Sequence, residues 1–207
     1  GGFADYRLYL KNLSASDLEW QTLINLLTTN KTDWFREPQH FEILAKEFLP
    51  NWLKIGKKNL SVWCAACSTG EEPYSLALLL DFALRDLGVN FKILASDIDT
   101  SVLEVAKRGV YPKNKLLQIP TAYHRTGFDF GTKEISSWMR VKSRIKDKVS
   151  FKKFNLAQGT YPWKSEFDVI FCRNVLIYFN SKTTQSVVES AFAASASDAT
   201  LFIAHSE

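Results

Sequence analysis

The residues best equipped for chemistry in this chain fall in a few short stretches. "CSTGEEPYS" (67–75) links an apolar run to an amphipathic one through Gly70 and carries the adjacent carboxylates Glu71 and Glu72. "ASDID" ends in Asp97 and Asp99, "FNL" supplies Asn155 and Leu156, and "FCRNV" supplies Arg173 and Asn174. The glycine turn is no P-loop, because that motif requires a lysine where this chain has carboxylates. It is no dinucleotide fingerprint either, because Gly70 stands alone where three glycines are needed. A phosphate at this helix start would meet two negative charges within one turn, which opposes the preference of the dipole for anions there. The simplest role for the glutamates is to stabilise the helix dipole. Together with Asp97, they point to a ligand that is cationic and rich in hydroxyls.

S-adenosylmethionine has that chemistry: a sulfonium, an ammonium and a ribose diol, with no phosphate. A carboxylate at the end of a strand, as Asp97 is, can accept from both ribose hydroxyls. One beside the glycine turn can face the methionine portion, and backbone groups at Asn155 and Leu156 can read the adenine edge.

Such residues converge only if the elements between them place strand ends side by side. "SVWCAAC" (61–67), "FKILASDID" (91–99), "KVSFKKFNL" (148–156), "FDVIFCRN" (167–174) and "TLFIAHSE" (200–207) read as strands. Helices are expected over 73–87, over 101–109 with Gly109 closing it, and over 181–196. Strands alternating with helices predict a parallel sheet covered on both faces, with the ligand at its carboxyl edge. Upstream, an N-cap signal and Leu18, Leu23, Leu26 and Leu27 predict a helix over 16–27. A second helix should start near Glu37-Pro38 and bury Phe41, Leu44, Ala45 and Phe48. Residues 112–147 break the alternation and are too long for a plain loop. They predict a small inserted antiparallel sheet, with a strand in "SSWMRVKSRI".

The 207 residues, 46% apolar, suffice for one medium domain with a substantial core. No apolar run approaches the roughly 20 residues of a membrane span, and no signal-peptide pattern opens the chain. A net charge of +4 from well-mixed residues is not the footprint of a nucleic-acid binder. The basic stretch 142–153 reads as a solvated face. Cys64 and Cys67 form a C-x-x-C without the further ligands a zinc site needs; with Cys172 they read as buried structural thiols in a reducing compartment, and His40, His124 and His205 as non-ligands. No metal is expected.

Taken together, "LTTNKTDWFREPQHF", "WCAACSTGEEPYSLAL", "ILASDIDTSVLEVAKRGVY", "FKKFNL", "FDVIFCRNVLIYFN" and "LFIAHSE" resemble the chemotaxis-receptor glutamate O-methyltransferase family (CheR-type), from residue 27 to 207. The resemblance implies a Rossmann-like α/β fold of class I methyltransferases, with a mostly parallel sheet and a small inserted β-subdomain at 112–147. It implies a methyltransferase domain over 31–207 and a remnant of an N-terminal helical domain over 1–30, and places the chain's end short of the family's further strands. Trp34 stands where the family more often has phenylalanine. The cofactor contacts implied are Asn30, Thr32, Arg36, Glu72, Asp97, Asn155, Leu156, Arg173 and Asn174, with Glu72 preferred over its neighbour Glu71. The implied partner is the cytoplasmic domain of a chemotaxis receptor, and the implied setting is a monomer in the bacterial cytoplasm. The products are a glutamate methyl ester and S-adenosylhomocysteine.

The acceptor carboxylate is already ionised near neutral pH, so no general base is expected. Arg36, with its planar fork, is the expected holder of that carboxylate, and Tyr178, five residues after Arg173, can add a hydroxyl. The other roles open to these two are a surface ion pair of Arg36 with Glu37 or Asp33, and packing of Tyr178 on the sheet end. A non-catalytic module that binds the cofactor or the receptor on the same fold is the alternative function. A nicotinamide oxidoreductase is disfavoured by the missing glycines. Methylation of base amines is disfavoured because the D/N-P-P-Y motif is absent from "CRNV".

Overall fold

The computed structural model describes residues 17–207. The part of the expected N-terminal remnant at 1–16 lies outside the described residues. In chain order the main elements are α1 (Asp17–Leu27), α2 (Pro38–Ile43), which passes through a π-helical turn (Leu44–Phe48) into α3 (Leu49–Lys54), β1 (Asn59–Cys64), α4 (Glu71–Leu84), β2 (Asn90–Asp97) and α5 (Thr100–Arg108). Then come β3 (Val110–Pro112), α6 (His124–Gly127), β4 (Phe128–Phe130), β5 (Trp138–Val141), α7 (Ser143–Lys146), β6 (Val149–Lys153), β7 (Phe167–Phe171), α8 (Ser181–Ala194) and β8 (Ser195–Phe202).

Five strands form one sheet in the order β6-β2-β1-β7-β8, and every neighbouring pair is parallel. The central strand shows why its sequence is almost continuously apolar. Leu60, Val62 and Cys64 join a core on one face, while Trp63 joins a second core on the other, with Ala65 just beyond the strand. A strand buried on both faces has no polar side to alternate with. The chain leaves β1 towards β2 and β6, then crosses back to β7 on the opposite flank. The order therefore reverses beside β1, which opens a crevice at the carboxyl ends of the strands.

Strands β3, β5 and β4 make a separate three-stranded antiparallel sheet within 110–141, as the long interruption predicts. Trp34 ties it to the main body. Its ring is 2% exposed and meets Tyr111 and Phe128 edge-on, with centroids 5.1 and 5.4 Å away. Pairs of this kind add to area burial and fix orientation.

Several element boundaries differ from the sequence expectation. Helix α4 begins at Glu71 rather than Pro73, because a proline in the first turn has no hydrogen bond to lose there. The last strand is 195–202, not 200–207. The polar "SASDAT" is drawn in by backbone pairing at the sheet edge, and 203–207 leaves the strand. In α1 only Leu23 of the four expected apolar residues is buried; Leu18, Leu26 and Leu27 are exposed. In the second helix Phe41 and Leu44 are buried, while Ala45 and Phe48 are only partly so. The basic stretch disperses into local contacts, Arg144 with Asp81 and Lys148 with Asn90.

Candidate active site

The carboxyl ends of β1, β2, β6 and β7 surround a cleft of ≈ 290 Å³. Asn30, Thr32, Arg36, Glu72, Asp97, Asn155, Leu156, Arg173, Asn174 and Tyr178 all line it. These positions span most of the chain; strand order gathers those at the strand ends, and contacts of the segment before β1 bring Asn30, Thr32 and Arg36 to them. Glu71 does not line the cleft; it accepts a bond from the Thr69 hydroxyl at 2.6 Å instead.

The turn after β1 is built on positive-φ backbone. Ser68 (φ 46°) and Gly70 (φ 97°) reverse the chain so that its amides face the end of β2. Ser68 N–H donates to Asp97 Oδ2 at 2.8 Å, and Asp99 N–H donates to Asp97 Oδ1 at 3.0 Å. Asp97 is thereby fixed at the cleft wall. Burial pushes its carboxyl above the usual aspartate value, and these backbone bonds offset only part of that rise.

Glu72 is buried, but its charge is not free for a ligand. Its Oε2 accepts from Arg173 Nη1 at 2.8 Å and its Oε1 from the Cys64 thiol at 3.0 Å. Burial raises the Glu72 carboxyl, opposed chiefly by the Arg173 guanidinium. The two adjacent glutamates therefore do not form one acidic wall. One is turned away, and the other is neutralised from behind by an arginine 101 residues later in the chain. Cys64, Cys67 and Cys172 are free and buried, and burial pushes all three thiols up, away from thiolate reactivity. Among the described residues no group of side chains could hold a metal ion.

Arg173 has a fully buried side chain and organises the opposite wall. Its Nη2 donates to the Arg36 carbonyl at 2.5 Å and lies 3.5 Å from Glu37 Oε2. Asn174, itself at φ 58°, donates to Glu37 Oε1 at 3.3 Å. Phe35 (φ 49°) and Glu37 (φ 56°) flank Arg36 in the left-handed region, where such side chains are uncommon. Two strained neighbours held by buried partners over-determine the path of the backbone at Arg36, a pattern that clusters at functional sites. Arg36 makes neither of the surface ion pairs open to it. Asp33 pairs with Lys115, Glu37 faces Arg173, and the Arg36 Nη1 donates to the Lys31 carbonyl at 3.1 Å. Tyr178 is 59% exposed at the rim, so it is not packed on the sheet end.

The contacts that Asp99, Ser68, Glu37 and Glu207 make in the site are not foreseen from the sequence. Asp99 was legible as the N-cap of α5, from an aspartate two residues before Ser101 at the end of a strand. Glu207 accepts from the Val175 and Leu176 amides at 2.6 and 2.7 Å and so shapes the loop bearing Tyr178. No local pattern announces that contact.

The wall fits an adenosyl cofactor on its own chemistry. It offers an anchored carboxylate, backbone and amide groups at Asn155, and apolar Leu27, Ile98, Phe154 and Val175 for a base and an alkyl chain. Comparison with known proteins agrees. Residues 30–207 match the CheR methyltransferase SAM-binding domain. Chemotaxis protein methyltransferase 2 of Pseudomonas aeruginosa is 40% identical over 207 residues, covering 100% of this chain and 72% of that protein. The chemotaxis protein methyltransferase of Salmonella typhimurium is 39% identical over 208 residues, covering 100% and 70%. That of Borreliella burgdorferi is 36% identical over 214 residues, covering 100% and 75%. With the cleft at its strand ends and a match across nearly its whole length, this chain belongs to the CheR methyltransferase family and carries that family's S-adenosylmethionine-binding domain.

Proposed function

We propose that the protein transfers a methyl group from S-adenosylmethionine to glutamate side chains in the cytoplasmic domain of a chemotaxis receptor, giving glutamate methyl esters. The observation that carries this reading is Arg36, a guanidinium on the same cleft as Asp97 that makes no ion pair with another described residue. An arginine that feels the Glu72 charge only at a distance and makes no close ion pair, beside a site for a cationic cofactor, suits an incoming anion.

When bound, S-adenosylmethionine supplies a sulfonium-borne methyl group, whose C–S bond breaks as the acceptor oxygen bonds to that carbon. The residues of the chain do the rest. Asp97 would hold the ribose hydroxyls, Asn155 and Leu156 would border the adenine, and Asn30, Thr32, Glu72, Arg173 and Asn174 would complete the cofactor wall. Arg36 grips one oxygen of the acceptor carboxylate and leaves the other free to react; Tyr178 can donate a hydroxyl to the same group. No base is needed, because a glutamate with a solution pKa of about 4.3 arrives ionised. Cation and anion merge into neutral products, so excluding water from the cleft favours the reaction. Alignment supplies several kcal/mol more.

We assign the methyltransferase unit to 31–207, with α1 belonging to an N-terminal helical part and the small antiparallel sheet serving receptor contact. No described helix is long and apolar enough to cross a membrane. The proposed enzyme meets its receptor from the cytoplasm and acts as a monomer. The test is transfer of radiolabelled methyl from S-adenosylmethionine to receptor-bearing membranes, with base-labile label expected on the receptor. Cofactor binding without any transfer would instead support a non-catalytic binding module.

A further inference from the structure

The two carboxylate oxygens of Asp99 do different work. Asp99 is fully buried. Its Oδ1 caps helix α5, accepting from the Ser101 amide at 2.8 Å, the Val102 amide at 3.3 Å and the Ser101 hydroxyl. Its Oδ2 takes no part in that cap. It accepts from Thr28 Oγ1 and from Asn30 Nδ2, each at 2.7 Å, across about seventy residues of sequence.

Thr28 and Asn30 belong to the segment 27–32, which leaves α1 and lines the cleft continuously. Few other contacts hold this segment. The Asn30 carbonyl accepts from Ser68 Oγ at 3.0 Å, and the Asn30 amide group also donates to Thr28 Oγ1 at 3.2 Å. Upstream, Gln21 donates to the Ile98 carbonyl at 2.9 Å, and Asn25 exchanges bonds with Thr100. The partners outside this segment lie in the turn after β1 (Ser68) or just beyond β2 (Ile98 and Thr100). The backbone amide of Asp99 also fixes Asp97. One residue therefore sets the position of the carboxylate wall and of the strap opposite it.

We infer that Asp99 is a positioning residue for the cofactor. Through Oδ2 it latches the 27–32 strap against the end of β2 and so completes the cleft wall before ligand arrives. An N-cap alone needs a single acceptor, and serine or asparagine serves nearly as well as aspartate. The second oxygen is explained by the strap. Hydrogen bonds to an ionised acceptor are about twice as strong as neutral ones, so the latch suits a segment with little apolar burial of its own. The inference rests on the reading of this cleft as the adenosyl site.

The variant that separates the two oxygens is Asp99→Ser, which keeps a helix cap and deletes the latch. Calorimetric titration with S-adenosylhomocysteine should show affinity lowered by about tenfold or more. The KM for S-adenosylmethionine should rise while kcat at saturation stays within about threefold. Hydrogen exchange in the 27–32 amides should be faster without ligand. Thr28→Val, which removes one latch donor at constant shape, should weaken binding in the same direction if Asp99→Ser does not fold. Ser101→Ala, which touches only the cap side, should leave affinity unchanged. Binding within about twofold of wild type for both Asp99→Ser and Thr28→Val overturns the inference, as does an equal loss in Ser101→Ala. If the unaltered protein fails to bind S-adenosylhomocysteine, the reading of the cleft falls and the inference with it.

Discussion

Arg173 Nη1 lies 2.8 Å from Glu72 Oε2, and both side chains are buried, at 0% and 11% exposure. The pair joins the end of β7 to the first turn of α4. With Glu37 and the Arg36 carbonyl on the same guanidinium, it also fixes the loop that carries Arg36. Buried pairs add little net stability against an apolar alternative, but breaking one strands the surviving charge. Arg173→Ala should therefore cost about 3–5 kcal/mol. Glu72→Gln should cost less, since Glu37 remains. Urea denaturation of both variants and of the double variant measures the coupling; independent, additive losses would contradict it.

Arg36 shows the opposite economy: its backbone is tightly held and its guanidinium is not spent on an ion pair. Arg36→Ala should lower methyl transfer by about a hundredfold or more, the scale seen when one charge-stabilising donor is lost. Affinity for S-adenosylhomocysteine should fall much less. Arg36→Lys should recover only part of the rate, because an ammonium lacks the planar fork. Near-normal turnover in Arg36→Ala would remove its assigned role.

The pH dependence of Asp97 has a definite sign. Its folded carboxyl sits above the usual 3.8, mainly through burial, so the folded state holds this proton more firmly than the unfolded chain does. The contribution of Asp97 to stability is thus greatest below 3.8 and declines as pH rises through the folded value. Cofactor binding runs the other way, since only the ionised carboxylate accepts from both ribose hydroxyls. As pH rises from 3.8 through the raised folded value, S-adenosylhomocysteine affinity should rise while the stability difference between wild type and Asp97→Asn shifts against the wild type. Affinity that is flat across this range would rule the assignment out.

Gly70 is fixed by both its backbone and its neighbours. At φ 97° a Cβ would sit 2.8 Å from the Ala106 Cβ and 2.8 Å from the Tyr111 hydroxyl. Gly70→Ala should destabilise the fold by roughly 1–3 kcal/mol and weaken cofactor binding, because the turn that presents Ser68 to Asp97 must shift. Thermal unfolding with and without S-adenosylhomocysteine reads both effects, and an unchanged midpoint would show that the turn relaxes freely.

Much of the architecture was legible because it depends on local pattern. The apolar runs at 61–64, 91–95 and 167–171 announce buried parallel strands, and Gly109 announces the end of α5. Element edges were less legible where backbone pairing outranked side-chain pattern, as in β8, whose polar first half is held by the sheet edge. The members of the site were legible as types at strand ends. Their partners were not, because contacts such as Glu72 with Arg173, Asp99 with Thr28 and Glu207 with the Val175 amide join segments far apart in sequence.

By itself the sequence determined the alternation of strands and helices, the turn at Gly70 that lacks a P-loop lysine and the motif set that groups this chain with its methyltransferase relatives. These are properties of neighbouring residues, set by periodicity, by backbone freedom and by the charge beside a helix start. Only the tertiary structure decided which charges are available to a ligand. Glu71 and Glu72 are alike along the chain, yet one is turned away and the other is matched by Arg173, while Arg36 makes no close ion pair among the described residues. The availability of a charge depends on what lies within a few ångströms of it, and in a parallel sheet those neighbours come from strands that the sequence holds far apart.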